Sequence, residues 1–240
     1  MPNDRKLSSN HFFEVRLEPQ GAFLNRRGEI ADFIKERELF RHWNIGSNKV
    51  DFWNSEDRSE DPETASVSFR SVSYQMLNPS TQNHFSDRTA KFLTALEEAP
   101  GFKFTPVERL GVRAHFYLQV EGLTFSELHQ KFAEKACGKP FKEIFDEVWT
   151  DVGVILELRK GETFLRIHTG PMKKDQFVKQ FSPLSEKDSI GEVGFFLDID
   201  CFRVDLKTTS SRDIIGTMKT LHKTCWEKLD KLANFLEISQ

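Results

Sequence analysis

Residues 107 to 121, VERLGVRAHFYLQVE, alternate without a break. Leu110, Val112, Ala114, Phe116, Leu118 and Val120 fall on one side, and Arg109, Arg113, His115, Tyr117, Gln119 and Glu121 on the other. Side chains of a strand point to opposite sides in turn, so this pattern demands a strand with one dry face and one polar face. Residues 193 to 204 obey the same rule. Val193, Phe195, Leu197, Ile199 and Cys201 share one side, while Phe196, Asp198, Asp200 and Phe202 share the other. Two strands of this kind require a sheet covered on one face, and the cover has to come from the helical segments.

Those segments follow from apolar spacing and from helix stop and start signals. A helix is expected from about Glu29 to Phe40, with Ile30, Phe33 and Ile34 on its apolar side, and a second from Ser86, read as an N-cap, to Pro100-Gly101. Thr124-Phe-Ser-Glu127 spells a capping box, opening a helix that ends before Gly138 and Pro140. A short helix is expected over 175 to 181, and a long one from about Arg212 to Leu236 carries Ile214, Met218, Leu221, His222, Cys225, Leu229 and Leu232. Strands are expected at 11 to 23, 48 to 54 and 65 to 77, the last with a phase change between Phe69 and Val72 that a bulge or burial of both faces would satisfy. Residues 150 to 169 read as a hairpin turning at Lys160-Gly161, with His168-Thr169-Gly170 as a turn. The polar stretch 54 to 64, NSEDRSEDPET, reads as the least ordered interior loop.

The resulting order is β-α-β-β-α-β, then α-β-β-α-β-α. It describes an α+β fold: an antiparallel or mixed β-sheet covered by helices, closed by a long C-terminal helix. The repeated rhythm leaves room for two related halves, 10–122 and 123–240, after a flexible N-terminus at 1–9. The two halves are free to share one continuous sheet.

Composition narrows the function classes. The chain has 23 Phe against 2 Tyr and 4 Trp, so most aromatic surface has no polar handle and belongs in the core. Net charge is -3, with 34 basic and 37 acidic residues, which gives no global field for a polyanion and argues against nucleic acid as partner. Three scattered cysteines, Cys137, Cys201 and Cys225, with no CxxC, fit a reducing compartment. With neither a membrane-length apolar run nor the apolar centre of a signal peptide, a cytoplasmic location is expected.

The strongest candidate for chemistry is the pair Asp198 and Asp200, two residues apart on one face of an apolar strand. Their partner is either an arginine or a metal. Arg109, Arg113, His115 and Tyr117 occupy the polar face of the other strong strand, and guanidinium forks match carboxylates two bonds at a time. As a metal site the pair would supply hard oxygen ligands suited to Mg2+, the way nucleotide-handling enzymes present aspartates on a strand. The further carboxylate or histidine motif that such enzymes place downstream is missing. His222 and Cys225, at i and i+3, lie on the apolar stripe of the last helix and read as core. Glu157-Leu-Arg159-Lys160 reads as a solvated strand end. Dinucleotide-binding, P-loop, serine-hydrolase and zincin motifs are all absent from the sequence.

The Val107 to Arg113 strand, the late Leu197-Asp-Ile-Asp200 strand and the terminal helix with His222 and Phe235 together resemble a sporadically distributed family of uncharacterised bacterial cytosolic proteins. The resemblance covers most of 10 to 238. It implies a bacterial accessory or defence component. Members often carry Gly-Leu-Arg-Tyr where this chain has Gly111-Val112-Arg113-Ala114. The function expected overall is a non-catalytic cytosolic protein-interaction module with a protein partner, no membrane, no cofactor and a possible homo-oligomer. The alternative is a metal-dependent enzyme acting on nucleotides or nucleic acid through Asp198 and Asp200 with Mg2+. A homodimer would use the last helix, whose Trp226 and Phe235 lie off its main stripe.

Overall fold

The computed structural model describes residues 7–145, 147–181 and 191–237. The first part of the chain runs β1 (Leu7–Leu17), α1 (Gly21–Glu36), β2 (His42–Ile45), β3 (Lys49–Trp53), β4 (Glu63–Ser68), β5 (Ser71–Leu77) and α2 (His84–Glu98). It continues with β6 (Val107–Gln119), α3 (Phe125–Ile144), β7 (Val154–Lys160), β8 (Thr163–Lys173), α4 (Lys174–Phe181), β9 (Val193–Leu206) and α5 (Ser211–Phe235). Among the described residues, nine strands form one antiparallel sheet in the order β2-β3-β4-β5-β1-β6-β9-β8-β7. The expected α+β fold with its long C-terminal helix is therefore observed.

The order of connection recurs along the chain. From β1 the chain passes through α1 and a meander back to β5, which lies beside β1, and leaves through α2; from β6 it passes through α3 and a meander back to β9, which lies beside β6, and leaves through α5. The two leading strands, β1 and β6, are antiparallel neighbours at the middle of the sheet. The recurrence starts at β6, and hydrogen bonds cross it without a gap.

One face of the sheet is dry. Phe13 and Val15 of β1, Val112 and Phe116 of β6, and Leu197 and Ile199 of β9 are buried with Phe23 and Ile30 of α1, Phe92 and Leu96 of α2, and Met218 and Leu221 of α5. Helix α3 extends the same cover, with Leu128 and Phe132 packed on Leu118 and Phe195. The other face carries α4 at one end, where Phe177 packs on Tyr117, Phe196 and Met172. The alternation in β6 and β9 thus decides which face is covered.

Within the dry face lies a buried polar group. His11 and His222 stand 3.2 Å apart between His11 Nδ1 and His222 Nε2, and Ser9 Oγ lies 3.0 Å from His11 Nε2. Trp226 Nε1 can only donate, and it does so to His222 Nε2 at 3.2 Å. His11 then donates from Nδ1 and accepts from the Ser9 hydroxyl. Both rings stay neutral: burial pushes the His11 pKa well below its ordinary value and that of His222 down to about 4. The other core pair is Cys201 and Cys225, whose sulfurs are 3.8 Å apart, so His222 and Cys225 are packing residues as expected.

Several local expectations are corrected. Residues 7–9 belong to β1, and only 1–6 of the expected flexible N-terminus lie outside the described residues. Helix α1 begins at Gly21, eight residues before Glu29, because its first turns add Phe23 to the buried stripe. The strand expected at 65 to 77 is two strands, and the phase change is the turn between β4 and β5. Ser86 lies inside α2, its hydroxyl donating to the Asn83 carbonyl. Helix α3 runs past Gly138, where φ of 67° breaks it into two segments. His168, Thr169 and Gly170 lie within β8, not in a turn. The polar stretch 54 to 64 is organised by Asp61, which is 4% exposed and accepts from the amides of Asn54, Ser55 and Glu63. Residues 42–45 lie outside the expected strands, and they form the short edge strand β2 by pairing with β3.

Candidate functional site

The uncovered face of the sheet sorts the candidate residues into rows, because directly opposed residues of antiparallel strands share a face. One row crosses from β1 to β7 as Phe12, Arg113, Asp200, Arg166 and Glu157. Its neighbour runs Asn10, His115, Asp198, His168 and Ile155. The row on the opposite side holds Glu14, Gly111, Phe202, Phe164 and Arg159. Four of the six candidate residues therefore form the centre of one surface, with Arg109 reaching into it. Tyr117 does not belong to that surface. It is buried under α4, lies across Gly194, where a Cβ would meet its ring, and donates to the Gly191 carbonyl at 3.0 Å. Burial raises its pKa.

Both carboxylates are held by arginine. Arg113 donates from Nε to Asp198 Oδ1 at 2.8 Å and from Nη2 to Oδ2 at 2.6 Å. Arg109 places Nη2 3.1 and 2.8 Å from the two oxygens of Asp200, and its Nη1 lies 3.8 Å from Glu14. Neither arginine takes the residue directly opposite it: Arg113 faces Asp200 and takes its diagonal neighbour Asp198, whereas Arg109 faces Val204 and reaches along the strand to Asp200. Asp198 is 12% exposed while Arg113 is 50% exposed, so the pair is a buried carboxylate capped by a half-open guanidinium. Burial raises the pKa of Asp200, with Arg109 and Arg113 pulling the other way. His115 Nε2 lies 3.5 Å from Asp198, yet burial outweighs that attraction and takes its pKa down to about 4.

The aromatic row explains Arg109. Phe202 and Phe164 stack 5.3 Å apart at 14°, Arg109 lies 4.5 Å over Phe202, and Arg159 lies 5.1 Å over Phe164. Arg109 comes from two residues away and fills the space above Gly111, where a Cβ would sit 2.9 Å from its Nη1. Gly111→Ala should push Arg109 off Asp200 and Phe202, at a cost of about 1 kcal/mol once the gain from a stiffer unfolded chain is set against the lost contacts. The decisive readout is the Asp200 carboxyl, whose pKa should rise further in NMR titration; an unchanged value would show that Arg109 does not depend on Gly111.

Together these residues line a hollow of about 410 Å³ bounded by Arg109, Arg159, Phe164, Arg166, Asp200 and Phe202. Across β6, β9, β8 and β7, with Glu14 and Arg16 from β1, the open face holds Arg16, Arg109, Arg113, Arg159 and Arg166 against Glu14, Glu157, Asp198 and Asp200. One unmatched positive charge on this face is no field for a polyanion. A cation at Asp198 and Asp200 would have to displace both guanidiniums. Among the described residues no group of three or more His, Cys, Asp or Glu is placed to hold a metal ion. No helix among them is long and apolar enough to cross a membrane.

Arg113→Ala separates the electrostatics from packing. It should leave Asp198 a buried carboxylate without its fork and cost about 3 kcal/mol, reduced to the extent that His115 takes up a proton in its place. Since Arg113 lowers the His115 pKa and Asp198 raises it, the pKa of His115 should climb well above 4 in the variant. An unmoved His115 resonance would sink the coupling.

No protein-family model, no curated protein and no solved structure matches this chain. The sequence pattern puts Arg166 on the returning strand of the hairpin without indicating that it meets Asp200, and the Phe164–Phe202 stack follows only from the β8–β9 register.

Proposed function

We propose that this protein is a non-catalytic protein-interaction module whose open sheet face is the binding surface. The observation that supports it most is the arginine held on each carboxylate. Asp198 and Asp200 are neutralised in place, so they serve neither as free metal ligands nor as a general base, whereas the half-open Arg113 and the exposed Arg166 present ordered donors outward. Fixed charges of alternating sign, rimmed by stacked aromatics, suit recognition of a folded protein surface of complementary pattern. The resemblance of its strand motifs implies a component or regulator of a bacterial accessory or defence system.

The test is comparative. Arg166→Gln removes one exposed charge without setting a carboxylate opposite Asp200 and Glu157, so partner capture from the native host should fall sharply while thermal unfolding shifts little. Lys219→Glu on the helix side should leave capture intact. Calorimetry with Mg2+ and Mn2+ checks the enzyme alternative: micromolar binding lost in Asp198→Ala would overturn the interaction reading.

A further inference from the structure

The sheet ends at β7, and no strand pairs with its outer edge among the described residues. Such an edge presents a row of unpaired backbone donors and acceptors, which natural sheets blunt by shortening, bulging or charging the strand. Strand β7 is seven residues long and regular; it is charged at Glu157, Arg159 and Lys160, but these are of both signs, and it also carries three exposed aliphatics, Ile155 on the open face and Leu156 and Leu158 on the helix side. The opposite edge, β2, has four residues and no acidic or arginine side chain.

We propose that β7 pairs antiparallel with β7 of a second copy of this chain, about a two-fold axis through Leu158. The strand's charges select that register. With Leu158 opposite its own copy, Glu157 faces Arg159 of the second copy twice, once on each side of the axis, and Leu156 lies under the aliphatic stem of Lys160 from the second copy. Centring on Glu157 instead would set two carboxylates face to face. Centring on Leu156 would oppose Glu157 to Ile155. Glu157 and Arg159 are exposed, and their strongest contacts within the chain leave capacity for a partner: Glu157 lies 3.6 Å from Arg166, and Arg159 uses Nε on the Gly161 carbonyl. Helix α5 is not available for the same role through Trp226, whose ring packs 4.9 Å from Phe116 and 5.5 Å from His11 of its own chain. The pairing names one partner for the interaction reading, but it uses the edge and not the face.

Sedimentation of the full chain tests it. Wild type should dimerise, and Glu157→Arg or Arg159→Glu alone should weaken the dimer by about tenfold, because each change acts twice about the axis. The double variant, Glu157→Arg with Arg159→Glu, should return to within about threefold of wild type. Glu157→Arg also removes the contact to Arg166, but so does the double variant, so recovery isolates the pairing between copies. A wild type that stays monomeric at about 100 µM overturns the proposal and leaves the Arg166 partner test standing. A dimer indifferent to the single changes, or not restored by the double, overturns it as well.

Discussion

Phe116→Ala should lower the unfolding free energy by about 3 to 5 kcal/mol, the usual cost of emptying a buried aromatic site. Phe116 has no exposed surface, and its ring meets His11 edge-on at 5.3 Å and Trp226 at 4.9 Å. Its strand is hydrogen-bonded on both sides, so the backbone cannot move in to fill the space. The loss also loosens the aromatic wall around His11 and His222. Urea melts measure it, with the midpoint shifting at constant slope. A change below about 1 kcal/mol would mean that the surroundings collapse into the gap.

Acid should destabilise the protein by several kcal/mol before ordinary carboxylates titrate. Burial holds His115 and His222 at about 4 against 6.5 in the unfolded chain, and His11 is displaced in the same direction. The folded state therefore binds fewer protons than the unfolded state between those values. Stability is complete above pH 6.5 and is lost as pH falls towards about 4. A shift of that size is worth roughly 3 kcal/mol per histidine. Asp200 works in the opposite sense, since burial raises its pKa and so favours the folded state as it takes up a proton, which offsets part of the loss. Urea midpoints at about pH 7 and about pH 4.5 should differ strongly, and His222→Gln should shrink the difference. Equal midpoints in the wild type would show that these rings protonate without leaving the fold.

The strand faces were legible in the local pattern. Alternation in β6 and β9 puts Leu110, Val112, Phe116 and Leu118, and Phe195, Leu197, Ile199 and Cys201, on the dry side where they are buried, because burial of one side of a strand is a local, period-two constraint. It also brought Arg109, Arg113, His115, Asp198 and Asp200 to the polar side, and it set the capping box at Thr124 and Glu127, which is observed with Thr124 N donating to Glu127 at 2.7 Å. Turns were harder to place: the phase change at 69 to 72 is equally compatible with a bulge and a hairpin, and only pairing with a neighbour distinguishes them.

Which of those polar residues meet depends on how distant segments pair. Strand order and register are set by contacts between segments far apart in sequence, so nothing in residues 107 to 121 or 193 to 204 alone indicates that Arg113 takes Asp198 and Arg109 takes Asp200. The same holds for Tyr117. Its place in the alternation marks it as polar-facing, but α4 covers that end of the open face and turns it into core. His11 is the clearest case: a histidine on the first strand reads as a surface group until α5 brings His222 and Trp226 against it, supplying the partners that let a polar ring be buried neutral.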